Sequence, residues 1–175
     1  MDKLSQIFLI LIPASLVLFG MYITVRSLVN GQNEGKNIDA KSEAKKITLP
    51  LQLQAYERVC LLLERISPQN ILVRLNGKAL NVADFHQVLI NEIRDEFNHN
   101  HSQQIYMSDA AWNHVKNAVE LTIGNINEAY IGLDPQANGI ELSKSILKTF
   151  IKADHNIIET ALQNVKSEAR ANIFI

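Results

Sequence analysis

LQLQAYERVCLLLERI, residues 51–66, decides the fold class. Leu51, Ala55, Tyr56, Val59, Cys60, Leu62, Leu63 and Ile66 recur at three- and four-residue intervals, and Glu57, Arg58, Glu64 and Arg65 occupy the other side. That spacing predicts an amphipathic helix, which is stable only when its apolar stripe is packed against other elements. The remaining apolar runs repeat the same period, so the chain is predicted to be all-α. Cys60 falls inside the apolar arc and reads as a small core residue with an inert thiol. Leu61 projects from the polar side, as a solitary exposed apolar residue or as a contact for a second copy or partner.

Upstream, Thr48 is suited to cap this helix, with Pro50 in the first turn where a lost donor has no partner to lose. Residues 27–46 are polar, carry two glycines and lack helical spacing, so they read as a solvated linker reaching about 25 Å as a coil. Before the linker lies Ile7–Val25, IFLILIPASLVLFGMYITV, which contains no ionisable side chain and is long enough for a transmembrane helix. The run exceeds the h-region of a signal peptide, its start holds only Lys3 beside Asp2, and no A-x-A site precedes a polar terminus, so it reads as a retained anchor. Pro13 is tolerable near the end of such a helix, and Tyr22 suits the headgroup level.

Lysine and arginine in the flanks set the orientation. Lys3 precedes the span, whereas Arg26, Lys36, Lys41, Lys45 and Lys46 follow it, which puts the N-terminus outside and the following domain in the cytoplasm. The expected location is the inner membrane, with a single pass. One cysteine cannot form an internal disulfide, in agreement with a reducing compartment. The predicted organisation is an anchor over 1–26, a polar linker over 27–46 and a small multi-helix bundle over 47–175. A bundle of that size buries a core without metals or cross-links. Seventeen Lys and Arg against eighteen Asp and Glu leave a net charge of -1, which offers no basic field for nucleic acid.

Downstream, Ser67-Pro68 ends the first bundle helix and supplies a cap and first-turn proline for a short helix over Pro68–Leu75, which Asn76-Gly77 terminates. The run ILVRL is also compatible with a strand, but nothing else in the chain resembles a partner strand. Asn81 caps the next helix, with Asp84 in its first turn. Val82, Phe85, Leu89 and Ile93 form its core stripe, and the same line projected forward at helical pitch meets Glu96, Asn100 and Gln103, flanked by Glu92 and His99.

Three readings fit that polar continuation: wet final turns, a hydrogen-bond network that fixes how two helices meet, or a metal or small-ligand site. Glu96 and His99 form a Glu-x-x-His pair, the spacing used by di-iron bundles, and Glu92 stands one turn earlier. A second Glu-x-x-His is missing from the sequence.

Ser108 caps a fourth helix carrying Trp112, Val115, Val119, Ile123, Ile126 and Tyr130 on one stripe, with Gly124 suited to close helix packing. Asp134–Gly139 is a connector built from turn residues. Leu142, Ile146, Leu147 and Phe150 form the stripe that follows, and Asp154 offers a cap for a separate helix bearing Ile157, Ile158, Ala161, Leu162 and Val165. Whether one helix or two follow Gly139 is open. Ile173, Phe174 and Ile175 are suited to dock on the domain or a partner.

LPLQLQAYERVCLLLERISPQNILVRL, EFNHNHSQQIYMSDAAWNHVKNA and ANGIELSKSIL, which cover most of Leu49–Leu147, resemble segments of a family of uncharacterised, single-span helical proteins of Bacteroidetes-type bacteria. The resemblance implies a membrane-anchored helical domain and brings no activity, cofactor or catalytic residue with it. Where that family favours an acidic residue before the His-Asn pair and an apolar one after it, this chain has Asn98 and His101, which makes a metal role for His101 incidental.

Phosphate-loop, zinc-protease, paired-cysteine and nucleophile-elbow signatures are all missing from the sequence. The expected function is a membrane-anchored cytoplasmic scaffold or adaptor with no evident catalysis and no cofactor. Its expected partners are the bilayer, through Ile7–Val25, and a protein or second copy. The alternative is a metal- or small-ligand-binding module, or an enzyme of that kind, built on Glu92, Glu96 and His99, with Asn100 and Gln103 in an adjoining polar network.

Overall fold

A computed structural model of the chain describes the backbone of residues 3–152 and 157–173, and the side chains of 11–27, 43, 45–151 and 157–172. The fold is all-helical. In chain order the helices are α1 (Lys3–Ile66), α2 (Pro68–Leu75), α3 (Val82–Asn100), α4 (Asp109–Tyr130), α5 (Gly139–Lys152) and α6 (Ile157–Ile173), with 3₁₀ segments at Gly77–Ala79 and His101–Tyr106. The chain divides into two compact units, Met1–Thr48 and Leu49–Ile175.

The first unit is the N-terminal part of α1. Its side chains from Leu11 to Ser27 are all exposed. Among the described residues, no helix is long and apolar enough to cross a membrane; the first four residues of the predicted span, 7–10, lie outside the described side chains. Residues 27–46 have helical backbone where a coil was expected. Good helix formers among Ala40, Lys41, Glu43, Ala44, Lys45 and Lys46 favour propagation once a helix exists on either side. The same continuity removes Thr48 from its expected cap role, because its hydroxyl donates back to the Lys45 carbonyl at 3.5 Å. Pro50 is therefore inside α1 and supplies no N–H to the Lys46 carbonyl.

In the second unit the predicted caps form at Asn81 and Ser108. The Asn81 side chain accepts from the Asp84 N–H at 2.8 Å and donates to the Asp84 carboxylate at 2.9 Å, a reciprocal closure of the first turn of α3. Ser108 Oγ accepts from the Ala111 N–H at 3.2 Å. Ser67 makes no side-chain cap bond; Pro68 starts α2, and Asn70 ties it to the end of α1 by donating to the Glu64 carbonyl at 2.8 Å. Asn76 stops α2 in the left-handed conformation, φ 40°, and its N–H bonds to the Leu72 carbonyl.

The core is filled by Tyr56, Val59, Leu62, Leu63 and Ile66 of α1 together with Phe85, Leu89 and Ile93 of α3. Trp112, Val115 and Ile126 of α4, Leu142 and Ile146 of α5, and Val165 of α6 complete it. Two residues of the expected stripes face water: Leu51 is 44% and Leu147 41% exposed. Leu61 is exposed, as its place on the polar side requires. Two helix–loop–helix units, α2–α3 and α4–α5, meet through their loops. Val82 N–H donates to the Ala137 carbonyl and Gly139 N–H to the Leu80 carbonyl, each at 2.9 Å, around an antiparallel bridge between Asn81 and Asn138. A Cβ on Gly139 would stand 2.7 Å from the Gly77 carbonyl oxygen, so this contact depends on glycine. Gly124 has no such role, since a Cβ there would meet nothing within 4 Å. Among the described residues two helical segments lie from Gly139 onward, α5 and α6; residues 153–156 between them, with Asp154, the expected cap of the second, lie outside the described residues, as do the side chains of Ile173, Phe174 and Ile175.

Candidate functional site

The polar end of α3 is held by arginines from two other helices. Arg65 Nε of α1 lies 3.1 Å from the Glu96 carboxylate, and Arg74 of α2 pairs with Glu92. Asn100 is buried and its amide donates to the Glu96 carbonyl at 2.9 Å and to the Glu96 carboxylate at 3.4 Å. His99 is exposed. Gln103 leaves the projected line because α3 ends at Asn100 and the tighter 3₁₀ pitch rotates the following residues; its amide donates to Ser102 Oγ at 3.4 Å. Among the described residues, no group of three or more His, Cys, Asp or Glu side chains is placed to hold a metal ion. His101 packs edge-on against Trp112 and Phe97, with ring centroids 5.7 Å and 5.5 Å away, and Phe97 stacks on Trp112 at 5.6 Å.

A second polar cluster joins three helices. Glu168 of α6 accepts the Ser108 N–H at 2.8 Å, the Ser108 hydroxyl, and the Tyr56 hydroxyl of α1 at 2.8 Å. Asn172, one turn further along α6, donates to the Tyr56 oxygen at 2.8 Å. Ser108 thus caps α4 with one lone pair while its N–H and O–H bind a carboxylate, at the end of the helix where a negative charge is favoured.

These contacts decide protonation. Burial pushes the Glu168 carboxyl up, but the Ser108 hydroxyl and N–H and the Tyr56 hydroxyl all donate to its charged form and together hold it below its ordinary 4.5. Burial first, then donation to Glu168, pushes the Tyr56 phenol from 10.0 up to about 12, against a smaller lowering by Asn172. An ionised carboxylate saturated by donors and a phenol fixed in its neutral form are poor bases and nucleophiles near pH 7. The cluster is built to hold α6 in place.

Beside it the 3₁₀ segment His101–Tyr106 borders two cavities. One, about 380 Å³, is lined by Gln52 and Tyr56 of α1, Ile105, Met107, and Glu168 and Asn172 of α6. The other, about 310 Å³, is lined by Leu51, Gln54 and Arg58, successive turns of one face of α1, and across from them by Ser102, Gln103 and Ile105. Tyr106 borders both. Local sequence spacing carries no sign of this region, because Tyr56 and Glu168 are 112 residues apart and Tyr56 reads as one more member of an apolar stripe.

The chain belongs to DUF7935, a family of unknown function whose model matches residues 2–172. No curated protein and no solved structure matches it.

Proposed function

We propose that this member of DUF7935 is a membrane-tethered adaptor: residues 7–25 sit in the bilayer and the unit Leu49–Ile175 presents a binding surface in the cytoplasm, with no catalysis of its own. The observation that carries this reading is the state of the N-terminal apolar side chains. Leu11, Ile12, Leu16, Val17, Leu18 and Phe19 are each more than half exposed, and so are Met21, Tyr22, Ile23 and Val25. A run of that kind, apolar on every side of a helix, needs a non-aqueous cover on every side, which a bilayer supplies and a one-sided protein groove does not. Basic residues Arg26, Lys36, Lys41, Lys45 and Lys46 on the C-terminal flank favour the cytoplasmic orientation. The adaptor role is supported by the make-up of the larger cavity, where the Glu168 carboxylate is saturated by the Ser108 and Tyr56 donors and the Tyr56 phenol is held neutral, an arrangement suited to structure and not to proton transfer.

The test is fractionation of cells expressing the full chain with a C-terminal tag. The chain is expected to stay in carbonate-washed membranes, deletion of residues 7–25 is expected to release it, and protease added outside intact spheroplasts is expected to leave the tag uncut. Release of the full chain by carbonate, or digestion of the tag, overturns the proposal. Crosslinking in the same membranes is expected to capture a partner protein or a second copy; a monomer at every concentration counts against the adaptor role.

A further inference from the structure

The smaller cavity has a charge asymmetry that nothing in the fold uses. Its lining contains one cation, Arg58, and no Asp or Glu. Positions three and four residues to either side of Arg58 on α1 are Gln54, Ala55, Leu61 and Leu62, so no acid on its own helix can reach it. Among the described residues Arg58 makes no ion pair, whereas Arg65, two turns further along α1, and Arg74 of α2 are both paired with glutamates of α3. The remaining polar lining, Gln54, Ser102, Gln103 and Tyr106, consists of neutral groups able to donate hydrogen bonds, and Leu51 and Ile105 add an apolar wall.

We propose that this cavity binds a carboxylate that carries an apolar substituent, with the Arg58 guanidinium taking the carboxylate oxygens as a fork. The planar, permanently charged guanidinium matches a carboxylate bidentately, and a single cation balances a single negative charge without leaving excess charge in the cavity. A phosphate monoester, with nearly two charges, is under-compensated by one arginine. Amides and hydroxyls beside the fork can bond the outer lone pairs, and Leu51 and Ile105, both exposed at the edge of this open groove, offer apolar surface against which the substituent can lie. A volume of about 310 Å³ suits a group the size of one amino acid. Two sources share this chemistry, a free branched-chain or fatty-type acid and the C-terminal residue of a peptide ending in Leu, Ile or Val. The proposal stands on the unit Leu49–Ile175 alone and holds whether or not residues 7–25 enter a membrane.

Calorimetric titration of the full chain in a non-ionic detergent tests it, using N-acetyl-leucine, N-acetyl-leucinamide, 4-methylpentanoate and inorganic phosphate as probes. N-acetyl-leucine is expected to bind and its uncharged amide at least tenfold more weakly, with R58Q losing the same factor and R58K losing less. R94Q, on α3 and outside the cavity lining, is expected to bind as the unaltered chain does, and far-ultraviolet circular dichroism checks that each variant is folded. Tighter binding of N-acetyl-leucine than of 4-methylpentanoate selects the peptide source, and the reverse order selects the free acid. Equal binding of acid and amide, preference for phosphate, full binding by folded R58Q, or no binding of either carboxylate overturns the proposal.

Discussion

Tyr56 and Glu168 show how one contact between distant side chains governs the response to pH at both extremes. The Glu168 carboxyl lies below its unfolded value of 4.5, so the stability it contributes is whole above that pH and disappears as pH falls from 4.5 through the lower folded value. Tyr56 has the opposite sign. Its phenol rises from 10.0 to about 12, so its contribution is whole below pH 10.0 and is lost as pH climbs from there through about 12. Urea denaturation at a series of pH values is expected to show both limbs in the unaltered chain. Y56F is expected to lose the alkaline limb and about 1 kcal/mol at pH 7, the ordinary cost of removing a hydroxyl that both donates and accepts. E168Q is expected to flatten the acid limb, and an unchanged acid limb in that variant would show that other carboxyls set it. Cys60 obeys similar physics, since burial raises its thiol against a smaller lowering by Lys166. Maleimide labelling at pH 7 is therefore expected to be many times slower in the folded chain than in urea.

At the scale of elements, Gly139 at the start of α5 and Gly124 inside α4 separate close approach from mere flexibility. An alanine methyl at position 139 would stand 2.7 Å from the Gly77 carbonyl oxygen and 3.1 Å from that of Leu80. G139A is thus expected to destabilise by about 1–3 kcal/mol, the usual range for overpacking against backbone. G124A adds a methyl to an open helix face and is expected to stabilise by about 0.5–1 kcal/mol. Thermal melts of the two variants should move in opposite directions, and a shared direction would refute the distinction. Asparagine 81, serine 108 and the connector Asp134–Gly139 were legible in the sequence because a cap or turn is a short-range device, fixed by residues within three or four positions. Thr48 was misread for the same reason: a good cap residue followed by proline marks a start only when the chain before it is not already helical. Gln103 stands off the projected line because a change from α to 3₁₀ pitch after Asn100 redirects the residues beyond it. The Tyr56–Glu168 cluster and the Arg58 cavity were out of reach because periodicity assigns a residue to a face and says nothing about which other face it meets.

On the scale of the whole molecule, the distribution of burial separates the two units thermodynamically. Every buried residue among the described ones lies between Ala55 and Val165, inside Leu49–Ile175, and none lies in the described part of Met1–Thr48. Because folding free energy is dominated by burial, the cooperative transition should belong to the second unit. Removing residues 1–46 is expected to leave the melting temperature of the helical domain within about 3 °C of the full chain, no more than roughly the shift that the loss of 1 kcal/mol produces in a domain of this size. L62A supplies the calibration: Leu62 is fully buried, and its truncation is expected to cost about 2–5 kcal/mol in either background. Circular dichroism melts of four proteins, full-length and truncated with Leu62 or alanine, close the cycle. Equal losses in both backgrounds establish that the N-terminal helix contributes a tether and nothing to the core. A truncated domain that no longer melts cooperatively would mean that the first unit is required for the fold, and the chain would then have to be treated as one object from end to end.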